Sequence, residues 1–200
     1  QGKKNLMKVD DTPAWGNFEA RYGVITLTDD TINDVYNESP HNILQLEFGT
    51  QIFRFLEFDL GIGFAQELAW TVDASGNSSG QRAMLTWIPL SADAVVRMHI
   101  LDEQPLVPYA RVGSDYVLWN EEWDAGGEER ERISGAKVGW HFGFGVNLLL
   151  DILAPARASQ LEAQTGINDT YLTVDWRRQW IDSREWVWEA PEGDGLLFSG

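Results

Sequence analysis

The chain has 200 residues, no cysteine, and 31 Asp+Glu against 15 Lys+Arg, a formal net charge of −16. That balance excludes a disulfide framework or thiolate metal site and sets the chain against nucleic acid, whose phosphates repel a protein of this sign. No apolar run reaches the ~18 residues of a transmembrane helix, which leaves open a membrane crossing built from short alternating strands.

The length suits one domain, 1–200, and the 10 Trp and 19 Gly fit β-structure with aromatics at an apolar–wet boundary. Residues 1–15 read as an N-terminal extension. They carry no charged-then-apolar leader, so Gln1 is expected at or near the start of a mature chain after signal-peptide removal.

Seven alternating segments follow, at 16–28, 41–52, 55–73, 82–101, 106–119, 133–150 and 169–181. In the sixth, GWHFGFGVNLLL, every second residue is large and apolar: Trp140, Phe142, Phe144 and Val146, with small or polar residues between. The third repeats the pattern with Phe58, Leu60, Ile62 and Phe64. Even positions are nearly all apolar across the seven segments. Odd positions carry Glu19, Arg21, Glu47, Glu57, Asp59, Glu67, Asp93, Arg97 and His99, then Arg111, Asp115, Lys137, His141, Asp175 and Arg177. Period-two alternation of this kind means strands with one greasy and one charged face.

A soluble sandwich or ligand-binding barrel would also satisfy the alternation, with the apolar face turned inward. Three features favour the apolar face turned outward to lipid. The segments exceed the usual strand of about 5–6 residues and suffice for the roughly 9–11 that cross a bilayer on a tilt. Glycines recur on the charged face, as a crowded small lumen requires. Trp15, Trp70, Trp119, Trp123, Trp180, Trp186 and Trp188 lie near strand ends or in loops, where interfacial girdles belong.

Connections alternate in character, with polar or acidic stretches at 29–40, 74–80 and 120–132 and short ones at 53–54 and 102–105. This is the long-loop, short-turn rhythm of an up-and-down barrel. Where a short turn is due, DILAPARASQLEAQTGI (151–167) predicts a short helix instead, with Pro155 in its first turn and Gly166 as its stop. It is placed on the periplasmic rim, as a cap on the barrel end or a docking surface. Bacterial barrels of this kind have an even strand count, so an eighth strand is expected. None is complete before Gly200: residues 182–200 read as the last surface loop with the closing strand expected after it, the alternatives being a strand that begins at 196–200 and is completed elsewhere, one donated by another chain, or edge-to-edge pairing of neighbouring copies.

Two stretches carry a family resemblance: PLVPYARVGSDYVLW (105–119) and LLLDILAPARASQLEAQTGINDTYLTVDW (148–176). They resemble a largely uncharacterised family of outer-membrane β-barrel proteins from myxobacteria and related Gram-negative bacteria, and more distantly the eight-stranded OmpA-like layout. The resemblance runs from about residue 16 onward. It implies a bacterial outer-membrane location and a closing strand ending in Phe. The family pattern has His after the Asn of TGIN, where this chain has Asp169.

No catalytic constellation emerges, since no Ser in a strained turn accompanies His41, His99 or His141, and the three histidines are too scattered for a metal site. No cofactor is expected. The acidic loops offer hard oxygens for divalent cations or salt bridges, without the spacing of a calcium loop. The reading is an all-β, small antiparallel transmembrane barrel with a charge network inside. Its expected role is structural, an anchor or interacting subunit of a cell-surface assembly, with outer-membrane lipid and other protein subunits as partners. The alternatives are a narrow channel, a lipid-modifying barrel enzyme and a soluble ligand-binding barrel.

Overall fold

The computed structural model describes residues 16–27, 36, 41–53, 55–72, 78–98, 100, 104–124, 130–165, 167, 169–181 and 193–199. Its strands are β1 (Asn17–Leu27), β2 (His41–Phe53), β3 (Leu56–Val72), β4 (Ser78–Arg97), β5 (Leu106–Asp124), β6 (Arg130–Leu149), β7 (Tyr171–Ile181) and β8 (Gly193–Ser199). They pair antiparallel in sequence order and close on themselves, β8 lying between β7 and β1. Closure removes both sheet edges, which is what allows a sheet to sit in hydrocarbon.

The even strand count therefore holds, but the closing strand is not where the sequence reading put it. It occupies 193–199, inside the stretch read as a loop, and β1 and β7 each pair with it. The segment GDGLLFS is short and has only Leu196, Leu197 and Phe198 to signal a strand, too few to register as alternation. Residues 182–192 lie outside the described residues.

Register explains why one parity runs around the barrel. Pairs such as Glu47↔Gly61, Asp93↔Gly113 and Gly143↔Arg177 join odd to odd across three different strand pairs. A single-residue slip at any hairpin would have turned the next strand inside out. Every strand residue buried in the structure carries an odd number. The large exposed apolars Leu60, Ile62, Phe64, Trp140, Phe142 and Phe144 are even. Phe53, odd and exposed, follows the register shift between Gln51 and Phe53 at the β2–β3 turn.

Between β6 and β7 the chain makes a 3₁₀ turn (Asp151–Leu153) and then α1 (Pro155–Thr165). Pro155 stands at the first helical position, where its missing N–H costs nothing. Asp151 Oδ1 accepts the Thr170 N–H at 3.3 Å and ties the start of this connection to its end. Leu161 on α1 is exposed, as are Ile152 and Leu153 before it.

Candidate functional site

The outer surface defines where the barrel meets its surroundings. On β5 and β6 the even positions are apolar, Ser114 excepted, from Leu106 and Leu148 up to the pair Leu118↔Ala136. One step further the same outward positions hold Asn120 and Ser134, then Glu122 and Arg132. Arg132 Nε donates to Asn120 Oδ1 and lies 3.7 Å from Glu122 Oε1, so the outer face becomes a hydrogen-bonded polar surface. Below that line it is an aromatic and aliphatic wall, with Trp140 stacked on Trp180 at 4.3 Å and Phe144 tilted against Trp176 at 5.1 Å.

The interior changes in the opposite sense. At the level of the apolar band it is charged: Glu19, Glu47, Glu57, Asp59, Asp93, Asp115 and Asp175 face Arg21, Arg97, Arg111, Arg177, Lys137 and His141. Glu47 is its hub. Arg111 from β5 grips it with two hydrogen bonds of 2.9 and 3.0 Å, Arg177 from β7 donates at 3.0 Å, and Arg21 from β1 stands at 2.9 Å. Arg97 reaches Glu57 at 2.7 Å and Glu19 at 3.0 Å. Asp175 takes Arg21 at 3.1 Å and the Tyr109 hydroxyl at 3.0 Å. Bidentate arginine contacts and several cations on one carboxylate are what make burial of so many charges tolerable.

His141 sits between two strands' carboxylates. Its Nδ1 is 2.7 Å from Asp115 Oδ2 and its Nε2 hydrogen-bonds Asp93 Oδ1. Only the imidazolium donates from both nitrogens, so this cradle suits a charged ring. Gly113, directly opposite His141, makes the room: a Cβ there would lie 2.6 Å from the Ala92 carbonyl and 2.7 Å from His141 Cε1.

Beyond the apolar band, towards the long loops, the interior becomes apolar. Ile43, Ala65, Ala69, Ala83, Leu85, Trp87, Val117 and Ile181 form one buried cluster, with Ile25, Trp119 and Trp123 packed against it. Trp119 and Trp123 thus face inward and are not part of a lipid girdle; Trp70 and Trp180 are on the outward parity. Trp15, Trp186 and Trp188 lie outside the described residues. Tyr36 joins this core from the loop side, its hydroxyl donating to Glu121 at 2.6 Å. His41, at the mouth of β2, is 3.1 Å from Glu67 and edge-on to Trp87 at 5.8 Å.

Of the fifteen charged residues named from the sequence, the structure gathers twelve into one network in the charged layer. Glu67 pairs instead with His41 near the loop end, and His99 lies outside the described residues. Lys137 is buried in the same interior. Of the residues named as lipid-facing, all are exposed except Val146, which is half-buried on the same face. The apolar inner layer was missed. Its members Ile25, Ile43, Ala65, Ala69, Leu85, Trp87 and Val117 are odd apolar positions towards the loop ends of their strands, but odd apolar residues such as Val95 and Val107 also occur at the opposite ends, which blurs the signal.

This arrangement is that of an integral membrane barrel: apolar outside and charged inside across the bilayer, with a polar outer surface on β5 and β6 and an apolar interior beyond it. The chain has the fold of the bacterial outer-membrane β-barrels. It resembles Neisserial surface protein A (NspA), with a TM-score of 0.53 at 12% identity over 93% of this chain and 94% of that one. A major outer membrane protein from Thermus thermophilus superposes with a TM-score of 0.50 at 14% identity, covering 92% and 97%. Ail of Yersinia pestis, in complex with the heparin analogue sucrose octasulfate, does so with a TM-score of 0.50 at 10% identity, covering 92% and 95%. No protein-family model and no curated protein matches the chain.

Proposed function

We propose that this chain is an outer-membrane anchor whose work is done at the loop end, as an interacting component of a cell-surface assembly, with a barrel that conducts nothing and catalyses nothing. The observation that carries the reading is the inversion of polarity at the Leu118↔Ala136 line. A barrel needed only to cross lipid would stop there. Here β3, β4, β5 and β6 run 17, 20, 19 and 20 residues, well past the roughly 9–11 that a tilted crossing takes. Their outer stretches have a core of their own, which supports a rigid platform held above the membrane.

Against a channel stand two layers in series. An eight-stranded interior is just wide enough for side chains to fill, and here it holds a cross-linked charge network below an apolar plug. The net charge of −16 argues against a polyanionic ligand of the kind seen with Ail. The loop-side surface suits a partner presenting cations. The resemblance of residues 105–119 and 148–176 to myxobacterial outer-membrane barrels is consistent with this role.

Two measurements test the proposal. Planar-bilayer recordings of the reconstituted chain should give no unitary steps; defined steps would replace this reading with a channel. Photo-crosslinkers at Asn120 and Arg132 on intact cells should each give an adduct of one defined mass, and their absence would remove the interaction role.

A further inference from the structure

The charged layer is not balanced. Among the described residues, seven carboxylates stand against four arginines, Lys137 and, with both ring nitrogens donating, His141, so one negative charge is left over when all seven are ionised. An uncompensated charge in such surroundings is costly, and the chain should hold something positive beside the residue responsible.

That residue is Asp59. It is 1% exposed, and neither of its carboxylate oxygens accepts a hydrogen bond from a described residue. Its nearest cation among the described residues is Arg111, at 3.6 Å from Oδ2, beyond hydrogen-bond range and already committed to Glu47 through two bonds. Oδ1 points elsewhere, into a space left by Gly49. Asn17, Gly49 and Asp59 lie on one register line across β1, β2 and β3. Asn17 Oδ1, Asp59 Oδ1 and Glu57 Oε1 converge on the place where a Cβ of Gly49 would be. Asn17 Oδ1 is a second buried acceptor without a donor. Turning the amide over does not help: Asn17 Nδ2 now donates to Glu57, and the flipped amide would set its oxygen against that carboxylate instead. Three oxygens from three side chains thus face one another; Glu57 Oε1 accepts from Asn17 Nδ2 and from Arg97 at 3.1 Å, while the oxygens of Asn17 and Asp59 have no donor among the described residues.

We propose that Asn17, Glu57 and Asp59 bind a hard cation of the calcium class, beside Gly49 and just inside the short-turn rim of the barrel. Carboxylate and amide oxygens are the donors such an ion selects, and it tolerates irregular geometry with water filling the remaining positions. Access is short, because Asn17 is half-exposed and Glu57 is the second residue of β3. The ion supplies the missing charge to Asp59 and ties β1 to β3 across β2, linking the strand against which β8 closes to the interior network.

The test uses the full chain refolded in detergent micelles, stripped with chelator, and titrated with calcium chloride, with magnesium and sodium chloride as comparison arms. The thermal midpoint should rise with calcium in proportion to the logarithm of its concentration above Kd. Asp59→Asn, which removes the surplus charge at constant size, should abolish the rise while leaving the stripped protein at least as stable as the parent. Asn17→Ala, at the half-exposed end of the site, should weaken calcium by roughly tenfold, the loss of one ligand at ~1.4 kcal/mol. A parent protein indifferent to calcium overturns the site. So does a rise that persists in Asp59→Asn, which would place the ion among the acidic loops. A protonated-carboxyl infrared band, unchanged by calcium and absent from Asp59→Asn, would show a proton shared between Glu57 and Asp59 instead of a metal.

Discussion

Arg111 on β5 and Glu47 on β2 meet through two hydrogen bonds of 2.9 and 3.0 Å, although two strands separate them around the barrel wall. The contact crosses the lumen, and both side chains are almost wholly buried. Removing Arg111 leaves Glu47 to Arg21 and Arg177 and takes from Asp59 its nearest cation among the described residues. Arg111→Ala should cost about 3–5 kcal/mol in urea unfolding from micelles. Arg132→Ala, an exposed pair on the outer polar surface, should change stability by less than ~1 kcal/mol. Equal effects of the two would mean that the lumen is wetter than its geometry implies.

The second prediction concerns the outer face. Phe144 is 57% exposed and leans on Trp176, so its burial in the assembled state is burial in lipid. Phe144→Asp places a charge there and should cost roughly 2 kcal/mol near the bilayer midplane. Spin labels at 142 and 144 should be quenched by oxygen, which partitions into hydrocarbon, and labels at 62 and 64 likewise. Quenching by a water-soluble reagent at these positions would turn the barrel inside out.

How far the fold could be read from the residues depends on how many repeats of the pattern each strand offers. Segment 133–150 alternates from Gly135 to Leu148, and the structure places β6 at Arg130–Leu149. The closing strand has seven residues and only three large apolar ones, so nothing local separates it from a loop. What identifies it is closure, a property of the whole sheet. The charged interior was legible because charge at odd positions has no other place in a lipid-facing strand. The apolar layer above it was not, because Leu85 and Trp87 break the alternation only if one already knows where the bilayer ends. Pairing between distant strands, such as Arg111 with Glu47, was beyond reach, since register and shear decide which residues face each other across the lumen.

The third prediction addresses that apolar layer. Trp87 is 7% exposed, the largest side chain of the buried cluster, and stands directly opposite Trp119 on β5. Trp87→Ala should destabilise the loop end by about 3–5 kcal/mol through lost burial and a cavity. It should also speed proteolysis of the loops while leaving the membrane-level strands protected. Because the charge network below stays intact, the variant should still give no conductance in planar bilayers. Unitary steps in Trp87→Ala would mean that the apolar layer alone seals the barrel and that the charged layer conducts.

The last prediction concerns β8, the shortest strand and the one on which closure rests. Its central residues have neighbours on both sides: Leu196 lies between Val24 and Trp176, Leu197 between Gly23 and Asp175, Phe198 between Tyr22 and Val174. All its donors and acceptors are therefore taken up by β1 or β7, as in any interior strand. Leaving such groups unpaired in hydrocarbon costs several kcal/mol each, so losing the strand should undo more than its seven residues. Proline removes one donor and clashes with the ladder, and is confined in sheets to edges and bulges. Leu197→Pro should abolish folding into micelles, with the parent's protease-resistant core absent from the variant. Deleting 193–199 should do the same. Leu197→Ala separates backbone from side chain: it keeps the ladder and should fold, with a loss of no more than a few kcal/mol. If Leu197→Pro gave a barrel as resistant as the parent, β7 and β1 would have to close without this strand, and the register of the whole interior network would shift with them.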